Sequence, residues 1–136
     1  MFKKEYFVTL PDTDAAGILF FGNYLKLAHV IYEEFMEKID YSLRYILDDA
    51  ENLILIVHSE ADYQKSLYLG DKFQISLHVS KIGNSSFELC YNFLDSQDKQ
   101  VASAKTVHVV VSKEKLKPTR IPEKLKNQLV NFQKLN

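Results

Sequence analysis

Asn23-Tyr24-Leu25-Lys26-Leu27-Ala28-His29-Val30-Ile31-Tyr32-Glu33-Glu34-Phe35-Met36-Glu37-Lys38-Ile39 is the stretch on which the reading of this chain turns. Tyr24, Leu27, Ala28, Ile31, Phe35 and Ile39 recur at the spacing of one helical face. Leu25, Tyr32 and Met36 widen that face beyond what a helix laid on a surface needs. The spacing therefore predicts a long, buried helix. Asn23 is the expected N-cap, because its side chain can accept from a free first-turn amide.

The flanks supply a sheet for this helix to pack on. Upstream, Lys4 to Leu10 alternates loosely and reads as a strand, followed by a turn-rich loop, Pro11-Asp12-Thr13-Asp14-Ala15-Ala16-Gly17. Ile18 to Phe21 is apolar and extended or transitional. Downstream, residues 42–50 read as a short amphipathic piece, and four strands follow, at 53–64, 72–81, 86–94 and 101–112. Phe73, Ile75, Leu77 and Val79 share one face of the second of these; Phe87, Leu89, Tyr91 and Phe93 share one face of the third. Gly83-Asn84 and the polar residues 95–99 are tight turns, so the last three strands should form an antiparallel meander. Pro118 and Pro122 bracket a linker before a terminal helix at 123–132. The fold class is α+β, a sheet wrapped around one long helix. Such a sheet leaves an edge strand and an uncovered face, which predicts a homo-oligomer, a dimer or a dimer of dimers.

Composition agrees. At 136 residues, 46% hydrophobic and 26% charged, the chain reads as one globular domain, 1–136. Cys90 is the sole cysteine, so no internal disulfide and no cysteine zinc site is possible. Met1-Phe2-Lys3-Lys4-Glu5 runs straight into an alternating pattern with no secretion signal. No apolar run approaches the roughly 20 residues that span a bilayer. These features predict a cytoplasmic protein with no membrane partner. The net charge of −1 and a pI near 6.4 exclude a typical nucleic-acid module. The charge is nonetheless divided: residues 105–136 hold eight basic and two acidic side chains, against nine and 16 in residues 1–104. That basic end is either a solvated tail or a patch for a phosphorylated ligand.

The chemistry concentrates in the loop before the helix. Asp12 and Asp14 precede a helix N-terminus, where free N–H groups and the dipole's positive end lie. A carboxylate there suits acyl chemistry: the amides hold a developing oxyanion while the carboxylate attacks or activates water. Gly17 and Gly22 would let backbone approach a ligand and take positive φ. The other reading is that both acids only cap turns.

The run Asp12-Thr13-Asp14-Ala15-Ala16-Gly17-Ile18-Leu19-Phe20-Phe21-Gly22-Asn23-Tyr24 resembles the signature of hot-dog-fold acyl-CoA thioesterases of the 4-hydroxybenzoyl-CoA thioesterase type. There a D-x-D-x-x-G loop precedes the central helix, which an Asn-Tyr pair opens, and the element order agrees over the whole chain. The resemblance implies an acyl-CoA thioester hydrolase without cofactor or metal. It implies that Asp14 is the catalytic carboxylate and that Asp12 supports the loop. It also implies that backbone amides near Phe21 and Gly22 polarise the carbonyl, and that Gly17, Tyr24, His29 and Glu33 contact substrate. Tol–Pal-associated members usually carry His at the position of Phe21 and Glu at that of His29, and this chain departs at both. His29-Val30-Ile31-Tyr32-Glu33 instead resembles the H-x-x-Y-E of 1,4-dihydroxy-2-naphthoyl-CoA thioesterases.

Several side chains keep two readings. His29 contacts substrate or is a satisfied core histidine. Glu33 is a second carboxylate or, with Glu37, a solvated stripe. His58, His78 and His108 fall on separate strands and are not expected to converge on a metal. A hot-dog dehydratase or hydratase is the alternative enzyme, and a non-enzymatic acyl-binding protein the alternative outside catalysis. The dehydratase reading needs a His near the helix start, and residues 11–28 contain none.

Overall fold

The long helix forms where its apolar periodicity puts it. In this computed structural model, which describes residues 1–134, α1 spans Gly22–Lys38 and buries Tyr24, Ala28, Ile31, Tyr32, Phe35 and Met36. Asn23 does not cap it. Phe21 takes the cap position without a side-chain bond, and Asn23 lies inside the first turn, donating Nδ2 to the Asp12 carbonyl at 2.8 Å. The Phe20 N–H donates to the same carbonyl at 3.0 Å. Asn23 thus ties the preceding loop to the helix rather than serving the helix's own amides. At the other end Asp40 takes φ +59°, and the Tyr41 and Asp40 amides return to Met36 and Glu37, a Schellman closure with Asp in the usual place of Gly. Burial covers one face of α1. Lys26, His29, Val30, Glu33 and Glu37 are exposed on the single chain.

Five strands form one antiparallel sheet: β1 (Phe2–Phe7), β2 (Asn52–Tyr63), β3 (Lys72–Ile82), β4 (Ser86–Asp95) and β5 (Gln100–Ser112), in spatial order β1-β3-β4-β5-β2. The expected meander is β3-β4-β5. β1 starts and stops earlier than the alternation suggests. The Val8 N–H leaves the ladder for the Asp71 carbonyl, and Leu10–Asp12 winds into a 3₁₀ turn around Pro11. Phe73, Ile75, Leu77, Val79, Phe87, Leu89, Tyr91 and Phe93 all turn one face to α1 and form the core with it. Behind α1 comes α2 (Leu43–Asp48), capped by Ser42 Oγ. The C-terminal α3 (Glu123–Val130) is shorter than expected and buries Leu125 and Leu129.

β2 forms where the strand at 53–64 was expected, but its apolar run is not covered: Leu55, Ile56 and Val57 are 47%, 42% and 59% exposed. The strand sits at the sheet edge and among the described residues pairs with β5 alone, with a register shift between Ile56 and His58.

Candidate functional site

The 3₁₀ turn and the following bends bring the two loop acids to the start of α1. Asp12 is structural in its contacts. Its Oδ1 accepts from Lys26 Nζ at 3.0 Å, its Oδ2 from Thr9 Oγ1 at 3.3 Å, and its carbonyl from Phe20 and Asn23. The loop is thereby fastened to the first turns of α1. Asp14 is held differently. Its Oδ1 accepts from the Ala16 N–H at 2.8 Å, its backbone N–H donates to Ile18, and its carbonyl accepts from Gly17. No donor among the described residues reaches Oδ2. One oxygen shapes the turn and the other carries no protein donor among the described residues, so the turn-capping contact leaves half of the carboxylate unengaged.

Asp14 and Phe21 line a cavity of about 410 Å³ together with Ile18, Leu19, Tyr24 and Tyr63–Ser66. Size does not single it out. A groove of about 790 Å³ lies beside Tyr41, Tyr45 and Lys124. What distinguishes the smaller cavity is a carboxylate beside the open end of a 17-residue helix, against an aromatic wall. Tyr63 meets Tyr24 at 5.0 Å and Phe21 at 6.4 Å between ring centroids, and Tyr24 rests on core Phe93 at 5.2 Å. Burial first, and then Tyr63, hold the Tyr24 phenol above its ordinary pKa, so it stays neutral at physiological pH. The arrangement can bind a planar acyl group, bring a carboxylate to its carbonyl and offer helix amides to the oxygen.

Some site residues expected from sequence are gathered here and others are not. Asp14, Phe21 and Tyr24 line the cavity. Gly22 starts α1 beside it in helical conformation, not at positive φ; a Cβ there would lie 2.9 Å from the Phe20 ring. Of the two loop glycines it is Gly17 that has the left-handed φ, +76°, and its carbonyl accepts from Leu69 N–H rather than lining the cavity. His29 and Glu33 lie about 10 and 16 Å further along the helix axis. Both are exposed, His29 stacked on Tyr32 at 5.8 Å, so it is not a core histidine. Among the described residues no three His, Cys, Asp or Glu side chains form a metal-binding group.

Sequence reading missed Tyr63 and Lys65. Tyr63 donates its hydroxyl to the Phe21 carbonyl at 3.1 Å, and Lys65 Nζ lies 3.7 Å from Asp95. No motif marks them, because they arrive from the far end of β2, 42 residues from Phe21 in the case of Tyr63. A family model described as "Thioesterase-like superfamily" matches residues 8–129.

The chain belongs to the thioesterase-like superfamily. Relatives of this superfamily member include the 1,4-dihydroxy-2-naphthoyl-CoA hydrolase of Synechococcus elongatus, 34% identical over 129 residues that cover 94% of each chain. The protein of the same name from Gloeothece citriformis is 35% identical over 118 residues, 85% of this chain and 82% of that one. A solved 1,4-dihydroxy-2-naphthoyl-CoA thioesterase from Synechocystis superposes with a TM-score of 0.89 over 96% of each chain at 24% identity. The expected α+β hot-dog architecture and the expected family both stand.

Proposed function

We propose that this thioesterase-like chain acts as one domain that hydrolyses the thioester of an aryl- or acyl-CoA, with 1,4-dihydroxy-2-naphthoyl-CoA its substrate. The observation that carries the reading is the shared cavity: Asp14, the α1 N-terminus at Phe21 and the aromatic wall of Tyr24 and Tyr63 meet in one place. A flat aryl group fits between such rings. Asp14 then attacks the thioester carbonyl or takes a proton from water that does. The Phe21 and Gly22 amides stabilise the oxyanion, and the CoA thiolate departs as the carbonyl re-forms; where Asp14 is the attacking group, water then cleaves the acyl–Asp14 anhydride, releasing the acid and restoring the carboxylate. The names of the relatives support the naphthoyl substrate.

A second copy of the chain completes this proposal. The exposed run Leu55-Ile56-Val57 lies on a strand with an unpaired edge, which antiparallel pairing with a second β2 would cover. Such pairing about Ile56 and Val57 sets one copy's residues 50–52 beside the other's Tyr63. Lys113 donates its N–H to the Glu51 carbonyl, and Arg120 lines the same groove as Asn52, so both basic residues travel with that end of β2. They would meet the CoA phosphates across the boundary. His29 and Glu33 could contact substrate only where another copy meets the exposed face of α1, and two β2 pairs joined into a homotetramer would provide such a contact. We place the enzyme in the cytoplasm, where CoA thioesters and an unpaired Cys90 both belong.

The test is thiol release over a panel of aryl- and acyl-CoA thioesters, 1,4-dihydroxy-2-naphthoyl-CoA included. Turnover that prefers the naphthoyl substrate is the expected result. Release from aliphatic thioesters alone would overturn the substrate, and no release from any would overturn the activity.

A further inference from the structure

Tyr63 ends β2, opposite Ala102 on β5, and crosses the gap to α1. Its hydroxyl has one partner there, the carbonyl of Phe21 at 3.1 Å, which also accepts from the Tyr24 N–H at 3.3 Å. That carbonyl and the Gly22 N–H are the two ends of a single planar peptide unit. A donor fixed on the oxygen fixes the direction of the N–H at the opposite end. It also draws electron density from the nitrogen side and strengthens the N–H as a donor. Gly22 is the first residue of α1, so its N–H has no acceptor one turn back within the helix.

We infer that Tyr63 is a positioning residue that aims the Gly22 amide at the thioester oxygen through its hydrogen bond to the Phe21 carbonyl. The inference rests on the proposed role of the Phe21 and Gly22 amides and says what holds one of them. Gly22 has particular need of such a hold, because it lacks a Cβ and its peptide turns more freely than any other. The Phe20 side chain, 2.9 Å from where a Cβ would stand, leaves little room for a stiffer residue. The ring of Tyr63 is itself located by Tyr24, and Tyr24 by Phe93, so the constraint runs from the core to the helix start. Tyr63 does not touch the reacting atoms in this account. It lowers the cost of orienting a dipole before the oxyanion forms.

Tyr63→Phe removes the hydroxyl and keeps the ring. The expected result is a fall in kcat of about 10-fold with KM within about twofold, the pattern of an interaction felt in the transition state and not in binding. Tyr63→Leu, which also removes the aromatic wall, should raise KM in addition. Unchanged kcat in Tyr63→Phe, or a change confined to KM, overturns the inference. An unchanged melting temperature identifies the lost turnover as positioning rather than unfolding; a kcat loss that cooling below the melting transition restores overturns it. Asp14→Asn, assayed in parallel, tests the parent reading separately. An active wild type with a silent Tyr63→Phe defeats this inference alone, and a wild type silent on every thioester defeats both.

Discussion

At the scale of single residues, the two oxygens of the Asp14 carboxylate are held differently, and the proposed chemistry uses the one the turn does not. Oδ1 shapes the turn through the Ala16 amide at 2.8 Å. Asp14→Asn can keep that bond, because an amide oxygen also accepts, while losing the charge that attacks or deprotonates. Turnover should fall at least about 100-fold with the melting temperature nearly unchanged, the scale of a lost acid–base group. Near-normal turnover would remove Asp14 from the chemistry. Gly17 is the complementary case. Its φ is +76°, and a Cβ would meet nothing within 4 Å. Gly17→Ala should therefore cost about 1 kcal/mol, all of it backbone strain, read as a drop in thermal or denaturant stability. A silent substitution would show that the loop takes another conformation.

At the scale of elements, β5 places a polar chain inside the apolar layer. Tyr91 Oη lies 2.8 Å from Thr106 Oγ1, and Thr106 Oγ1 lies 2.7 Å from His108 Nε2. His108 stacks on Phe87 at 4.9 Å and lies 4.5 Å from Tyr32, ring to ring, and its Nδ1 has no partner among the described residues. Burial, and then the nearby His29, pull its pKa from 6.5 down to about 3. His108 is thus neutral in the fold, while in the unfolded chain it titrates at its ordinary value. Below pH 6.5 unfolding takes up a proton, so stability present at neutral pH is lost as pH falls toward 3. Between pH 7 and 5 this should amount to up to about 2 kcal/mol in chemical denaturation. His108→Gln should flatten that slope; an equal slope in both proteins would assign the pH dependence elsewhere.

At the scale of the whole molecule, the exposed edge of β2 and the basic C-terminal segment, residues 105–136, bear on assembly and binding. Val57, 59% exposed, contributes little to the single chain's core. Val57→Lys should leave each subunit folded but shift sedimentation toward monomer, and turnover should fall with it. An oligomer undisturbed by the lysine would place the interface on another surface. Arg120 is exposed and Lys113 half-buried with its Nζ on the Leu47 carbonyl, so the phosphate contacts proposed for them lie at the surface and are weak and screened by salt. Raising ionic strength, or reversing both charges, should raise KM for CoA thioesters with kcat nearly unchanged. A KM indifferent to both would leave the basic end as a solvated tail.

Periodicity alone determined α1 and the β3-β4-β5 meander, because an apolar face repeating every three to four residues, or every second one, has few ways to be buried. The loop motif, through Asp12, Asp14, Gly17 and Asn23-Tyr24, was equally legible, since its parts are neighbours in the chain. The course of Asn23 was not. Whether an amide caps its own helix or reaches back to the Asp12 carbonyl depends on where the loop comes to rest. Nor could composition tell that Leu55, Ile56 and Val57 would lie at an open edge, because an apolar strand reads the same at the centre of a sheet and at a rim awaiting a partner. Tyr63 is the clearest instance. Its bond to Phe21 spans 42 residues and exists only because the sheet carries the end of β2 back to the start of α1.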